Sequence, residues 1–143
     1  MPSTAAVLCR MAEFINIQGL HTGEQMAVDN PWKLDICAVA YILAEDCQTP
    51  AEFYTDESAS IRIIECSAPA MQAIRAISAA LDTEPCETEI APGHAVPDYI
   101  EHVCNWAATP PVLANRPPSV PEVIGRILCA ADQIDADTAP AAA

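Results

Sequence analysis

Apolar side chains recur at helical spacing in five stretches of the chain. Along residues 4–18, Val7, Leu8, Met11, Phe14 and Ile15 fall three and four positions apart. Ser3 or Thr4 can cap the start of this stretch and Gly19 can stop its end. Asp35 can cap a second stretch over 35–46, lined by Ile36, Val39, Ala40 and Leu43. A third, 67–82, opens on Ser67 and Pro69, carries Ala70, Ile74, Ile77 and Leu81 on one stripe, and ends before Pro85. A fourth, 97–107, starts at Pro97 and runs through Tyr99, Ile100, Val103 and Trp106. The last, 119–133, opens on the capping box Ser119-Val120-Pro121-Glu122 and is expected to bury Val120, Val123, Ile124, Ile127, Leu128 and Ala131.

The segments between these stretches break the period. Residues 20–34 contain Gly23, Asn30 and Pro31 and read as a loop, with Trp32 as an anchor on the core. Thr49-Pro50-Ala51-Glu52 is a capping-box sequence with Pro at the first helical position, which predicts one more helical turn. Ile61-Arg62-Ile63-Ile64 fits a short strand or a helix end equally well. Residues 82–95 combine four acids with two prolines and Gly93 and read as an acidic exposed loop. Pro110, Pro111, Pro117 and Pro118 stiffen the next connection. From Asp135 onward the Asp/Thr/Ala/Pro sequence has nothing to pack. The expected fold is all-α: a compact bundle of five or six helices with long Pro-containing loops, one helical domain over residues 1–134 and a disordered tail over 135–143.

Composition supports helix. The hydrophobic fraction of 52% includes 27 alanines, while aromatics make up 5%. Strands prefer β-branched and aromatic side chains, and Ala is the best helix former.

Charge narrows the partners. Twenty acidic against six basic residues give a net charge of −14. Such a surface repels phosphate backbones and anionic lipid, which argues against direct nucleic-acid or membrane binding and for a protein partner, a basic one fitting best. The same charge also serves solubility alone. The densest acidic group, Asp82, Glu84, Glu87 and Glu89, is the candidate partner-binding site.

The seven cysteines are odd in number, scattered, and contain no C-x-x-C pair. They predict no structural disulfide, and with neither a secretory leader nor a bilayer-length apolar run they suit a reduced, cytoplasmic setting. Cys86, His94, His102 and Cys104 are the residue types of a zinc site, but His102-x-Cys104 does not point one way on a helix, so no metal and no cofactor is expected. A Cys–His nucleophile needs an electropositive setting that this acidic chain does not offer. The four glycines form no phosphate-cradling pattern. No catalytic residue is identified.

Three stretches together resemble a family of small uncharacterised proteins of actinobacteria and their phages. They are Leu8 to Ile15 followed by Gly19-Leu20-His21-Thr22-Gly23, the helix start Asp35-Ile36-Cys37-Ala38-Val39-Ala40, and Asn105-Trp106 with Ser119-Val120-Pro121-Glu122-Val123-Ile124. The chain departs from the family pattern at Leu20, where an aromatic is usual, at Val39-Ala40 in place of Gly-Ala, and in the order Asn105-Trp106. The resemblance implies a helical fold and a bacterial or phage origin. It implies no reaction, because the family carries no established activity.

The expected function is therefore a non-enzymatic accessory or interaction protein, such as one borne by a phage or mobile element. Its sharpest form is an acidic inhibitor of a basic nucleic-acid-binding partner. The competing class is a small enzyme or ligand-binding protein with an inter-helix pocket, for which Cys37, His21 and Trp32 are candidates. A deep pocket with convergent His, Cys and Trp would favour the second class, and an acidic stripe without a pocket the first.

Overall fold

The computed structural model describes residues 2–138. In chain order it contains α1 (Thr4–Gln18), β1 (Ala27–Asp29), β2 (Trp32–Leu34), α2 (Ile36–Glu45), α3 (Glu52–Thr55), α4 (Glu57–Glu65) and α5 (Ala68–Ala79). These are followed by β3 (Glu87–Ala91), β4 (His94–Pro97), α6 (Tyr99–Ala108) and α7 (Val120–Thr138).

Local chemistry sets the helix ends. The Ser3 hydroxyl accepts from Ala6 N at 3.1 Å, and Gly19 ends α1 at φ 76°. Asp35 accepts from Cys37 N and Ala38 N, Ser67 from Ala70 N, and Asp56 from Ala59 N. At the start of α7 the Ser119 hydroxyl accepts from Glu122 N, as in the expected capping box, while the Glu122 carboxylate accepts from that hydroxyl and not from the Ser119 backbone. At 49–52 the capping box does not form: α3 begins without a side-chain cap hydrogen bond. The ambiguous run 61–64 belongs to α4 and is helical.

The all-α expectation is overturned by two antiparallel two-stranded sheets, which make the fold mixed α/β. β1 pairs with β2 in the register Ala27↔Leu34 and Asp29↔Trp32, across the Asn30–Pro31 turn, whose peptide bond is cis. Met26, Ala27 and Leu34 are buried, so this stretch must satisfy its backbone groups inside the protein, and the ladder does so. Met26 N donates to Phe53 O and His21 N to Leu34 O, which ties the hairpin down at both ends.

The second hairpin replaces the expected acidic loop. β3 and β4 pair as Glu87↔Pro97, Thr88↔Val96, Glu89↔Ala95 and Ala91↔His94, with an irregularity at Ile90. Pro92-Gly93 makes the turn, with Gly93 at φ 73°, the region where a side chain is strained. The β-branched Thr88, Ile90 and Val96 suit extended backbone. Almost the whole hairpin is exposed, so no hydrophobic alternation advertises it.

The bundle centres on α2 and α5: α2 packs on α1, α5 and α6, while α5 also meets α6 and α7, and α1 runs along α7. One buried cluster fills the centre, with Phe53 fully enclosed and its ring edge-to-face on Tyr41 at 5.5 Å. Ala38, Ala40, Ala70 and Ala73 are also fully buried. Small side chains at those positions let neighbouring helices approach closely, which is where part of the alanine content goes.

Three further expectations need correction. Leu128 is 41% exposed, because α7 turns Ala130 and Ala131 inward in its place. Trp32 stays at the surface, yet it is pinned there by an edge-to-face contact with Phe14 and by its Nε1–H donating to Tyr54 Oη at 2.8 Å. α7 continues through Thr138, past the expected tail boundary at Asp135, with the Thr138 hydroxyl donating to Ile134 O. The rest of that expected tail, 139–143, lies outside the described residues. Among the described residues no helix is long and apolar enough to cross a membrane.

Candidate functional site

A cleft of about 880 Å³ opens between α6, α7 and the loop joining them. Trp106 lines it from α6, half-buried with one side of its ring on the core. Pro110, Pro111, Val112 and Pro118 supply the apolar loop wall, and Gly125, Arg126 and Cys129 face it from α7. Asn105, Thr109, Thr83 and Glu122 add separate polar groups.

Two polar arrangements hold this cleft. Arg126 Nη2 lies 2.7 Å from Asp82 Oδ2, and its Nη1 donates to Ala80 O at 2.9 Å. At the mouth, Glu122 accepts from the Ser119 hydroxyl at 2.9 Å and pairs with Arg116 at 3.1 Å. These two contacts hold the Glu122 carboxyl below its ordinary pKa, the serine contributing most.

His102 is buried on α6, where its Nδ1 shares a hydrogen with Ser78 Oγ at 2.6 Å and its Nε2 one with Thr83 Oγ1 at 2.7 Å. Burial pushes its pKa down, against an upward pull from the Glu84 charge. Ser78 and His102 form a hydroxyl–imidazole pair, but Ser78 does not line the cleft, so a bound molecule would not meet that hydroxyl. The neutral ring is a brace between α6 and the end of α5.

Gly125 is the least expected feature. It sits inside α7, where Gly is unfavourable by about 1 kcal/mol relative to Ala. A Cβ built there would meet nothing within 4 Å, so no packing constraint requires glycine. Its effect is to leave the cleft open.

The sequence-derived partner-binding group is split. Asp82 is engaged by Arg126 at the cleft. Glu87 and Glu89 stand two apart on exposed β3, on one face of the hairpin, and the Glu89 carboxylate accepts from Gly93 N at 3.1 Å. Glu84 lies in the exposed connection before them. The rejected zinc quartet does not assemble: Cys86 and His94 are exposed, His102 is committed to its two hydroxyls, and Cys104 goes elsewhere.

Cys104 meets Cys37 and Asp35. Its Sγ lies 3.3 Å from Cys37 Sγ and 3.5 Å from Asp35 Oδ1, and one donor atom from each residue falls within 4.8 Å of the others. Cys37 Sγ–H points to Ile100 O at 3.9 Å. Desolvation pushes the Asp35 pKa up, while hydrogen bonds from Cys104, Cys37 and Ala38 pull it down. The Cys104 thiol is held well above its ordinary range, first by its contact with Cys37 and then by burial. For Cys37 the contact with Cys104 pulls downward, but burial and the Asp35 and Asp98 charges outweigh it, and the net shift is upward. All seven cysteines are free thiols.

Sequence reasoning named Cys37 as a candidate for a pocket-based function, with Trp106 on a helical stripe, and did not select Arg126, Gly125 or Asp35 for a site. Gly125 within an otherwise helical pattern was the one available signal.

Comparison with known protein families, with curated proteins and with solved structures finds no match.

Proposed function

We propose that the protein binds a small organic molecule in the α6–α7 cleft. The observation that carries this reading is Gly125, a helix-interior glycine with open space where its side chain would be, facing a cleft of about 880 Å³. That volume is in the range of drug-sized ligand sites, and a mostly apolar wall with a few placed polar groups is their usual make-up. Trp106 offers a flat apolar face, while Asn105 and Thr109 offer hydrogen bonds. Arg126 is engaged by Asp82 and Arg116 by Glu122, so among the described residues the two ion pairs leave no unpaired cation there for an anion. The ligand class is therefore a flat, largely apolar molecule, neutral or cationic, stacking on Trp106.

The rim supports the same reading. Val112 is 93% exposed and Leu113 fully so, and Leu113 holds a left-handed φ of 69° in the turn closed by Ala114 N to Pro111 O. A branched side chain in that conformation is strained by about 1–2 kcal/mol. Two exposed apolar residues at the mouth of an apolar cleft provide surface that a ligand would cover.

The test is dye binding. Nile red, a flat neutral molecule, should show a saturable fluorescence rise with the wild-type protein. Gly125→Leu should weaken that binding at least about tenfold by filling the cleft, with an unchanged or higher melting temperature. Binding that is absent, or equal in the two proteins, defeats the reading.

A second reading, an interaction protein that offers carboxylates to a basic partner, is favoured by Glu87 and Glu89 sharing one exposed face of β3. The family resemblance adds a bacterial or phage setting to either reading.

A further inference from the structure

We propose that Asp35, Cys37 and Cys104 form a binding site for a thiophilic divalent cation of the zinc class. The site lies on the side of α6 that meets α2, and it is separate from the cleft lined by His102 and Trp106.

Distances come first. With Zn–S near 2.3 Å and Zn–O near 2.0 Å, a tetrahedral centre places sulfur and oxygen about 3.5 Å apart and two sulfurs about 3.8 Å apart. Here Cys104 Sγ is 3.5 Å from Asp35 Oδ1 and 3.3 Å from Cys37 Sγ. Accepting a cation requires the sulfurs to separate by about 0.5 Å. Closing them into a disulfide at about 2.05 Å requires an approach more than twice as large. The two thiols are soft donors that select zinc over magnesium or calcium, and zinc also accepts a carboxylate oxygen.

Charge comes second. Asp35 is buried, and among the described residues no Lys, Arg or His forms an ion pair with it. A buried carboxylate is costly unless paired with a cation or bound to a metal. Two thiolates and one carboxylate around a divalent cation leave a single negative charge, the thiol protons passing to solvent on coordination.

The backbone beside the site is fixed. His21 N donates to Leu34 O, the residue before Asp35. The loop carrying His21 also holds Gln25 at a left-handed φ of 67°, with its side-chain oxygen buried and without a hydrogen-bond partner. Met26, the next residue, takes Asp35 N–H on its carbonyl at 2.8 Å. The loop is thus anchored at the backbone of Asp35.

The experiment uses the full chain with the exposed Cys9, Cys47, Cys66, Cys86 and Cys129 replaced by Ser, leaving Cys37 and Cys104 as its only thiols. Titration with Co²⁺ under reducing conditions should reach one equivalent, with thiolate-to-cobalt charge-transfer absorption and the visible bands of a tetrahedral ion. Zn²⁺ should displace the cobalt and raise the melting temperature. Cys104→Ser should abolish most of the charge transfer and weaken binding at least about 100-fold. Asp35→Asn keeps a side chain that can cap α2, so the fold is retained; it should weaken binding about tenfold or more while charge transfer remains. No charge transfer, or charge transfer unaffected by Cys104→Ser, overturns the site. So does finding that Cys37 and Cys104, in the chain unfolded without reductant, are joined as a disulfide and resist alkylation. Binding untouched by Asp35→Asn also overturns it.

Discussion

Arg126 Nη2 approaches Asp82 Oδ2 to 2.7 Å, linking the middle of α7 to the segment that follows α5. The same guanidinium donates to Ala80 O. The two bonds are unequal in value. The Asp82 side chain is 82% exposed, so water screens its pairing, while the Ala80 carbonyl belongs to the buried end of α5. Arg126→Ala should therefore cost about 1–2 kcal/mol, chiefly through the lost carbonyl bond. Asp82→Asn should cost less than about 0.5 kcal/mol. Chemical denaturation of both variants checks this, and equal losses would mean that the ion pair dominates.

Gly125→Ala should stabilise the protein by about 0.5–1 kcal/mol. The new Cβ meets open space, and alanine removes both the helix penalty and the chain entropy of glycine. Thermal melts of the two proteins decide it. A destabilised variant would show that the cleft wall is closed in solution.

His102 gives the stability a pH dependence of defined sign. Its folded-state pKa lies below the ordinary 6.5, so the folded form favours the neutral ring. The stability it contributes is fully present above about pH 6.5 and is lost as pH falls from there through the folded-state value. Melting temperature should drop between pH 7 and pH 5. His102→Gln should start lower, having lost its two hydroxyl partners, but should fall less steeply over that window. Parallel slopes would assign the dependence to other groups.

Neutralising the acidic hairpin should leave the fold intact. Glu84, Glu87 and Glu89 are exposed, and replacing all three with Gln should move stability by no more than about 0.5 kcal/mol. The reduced self-repulsion acts in the stabilising direction at low salt and fades as salt rises. Melts at two ionic strengths measure both effects. If a basic partner is recruited through this face, its association rate should fall in the same variant.

The helices were legible because their ends are written in local chemistry. Ser3 and Gly19, Asp35, Ser67 and the Ser119–Glu122 pair each act within four residues of themselves, and those boundaries stand within one position of the observed ones. The hairpins were not legible for opposite reasons. β1–β2 is built around buried Ala27 and Leu34 in strands of three residues, too short to show a period. β3–β4 is exposed along its length and shows charge in place of alternation, although Pro92-Gly93 named its turn. The functional candidates are properties of the spaces between elements. Cys37 and Cys104 lie 67 positions apart, and no spacing rule links them. The cleft exists because α6, α7 and their Pro-rich connection enclose a volume, a fact that no single residue other than Gly125 signals.

The packing of α1 along α7 bears on how the chain is made. α1 leaves the ribosome well before α7, its long-range partner, with Val7, Leu8, Met11 and Ile15 bare. Contacts between such distant segments are slow to form, and until α7 arrives the apolar stripe of α1 can rest only on α2 and α5. The order of synthesis thus leaves a window in which the nascent chain is sticky, and slowing elongation ahead of residue 120 would lengthen that exposure.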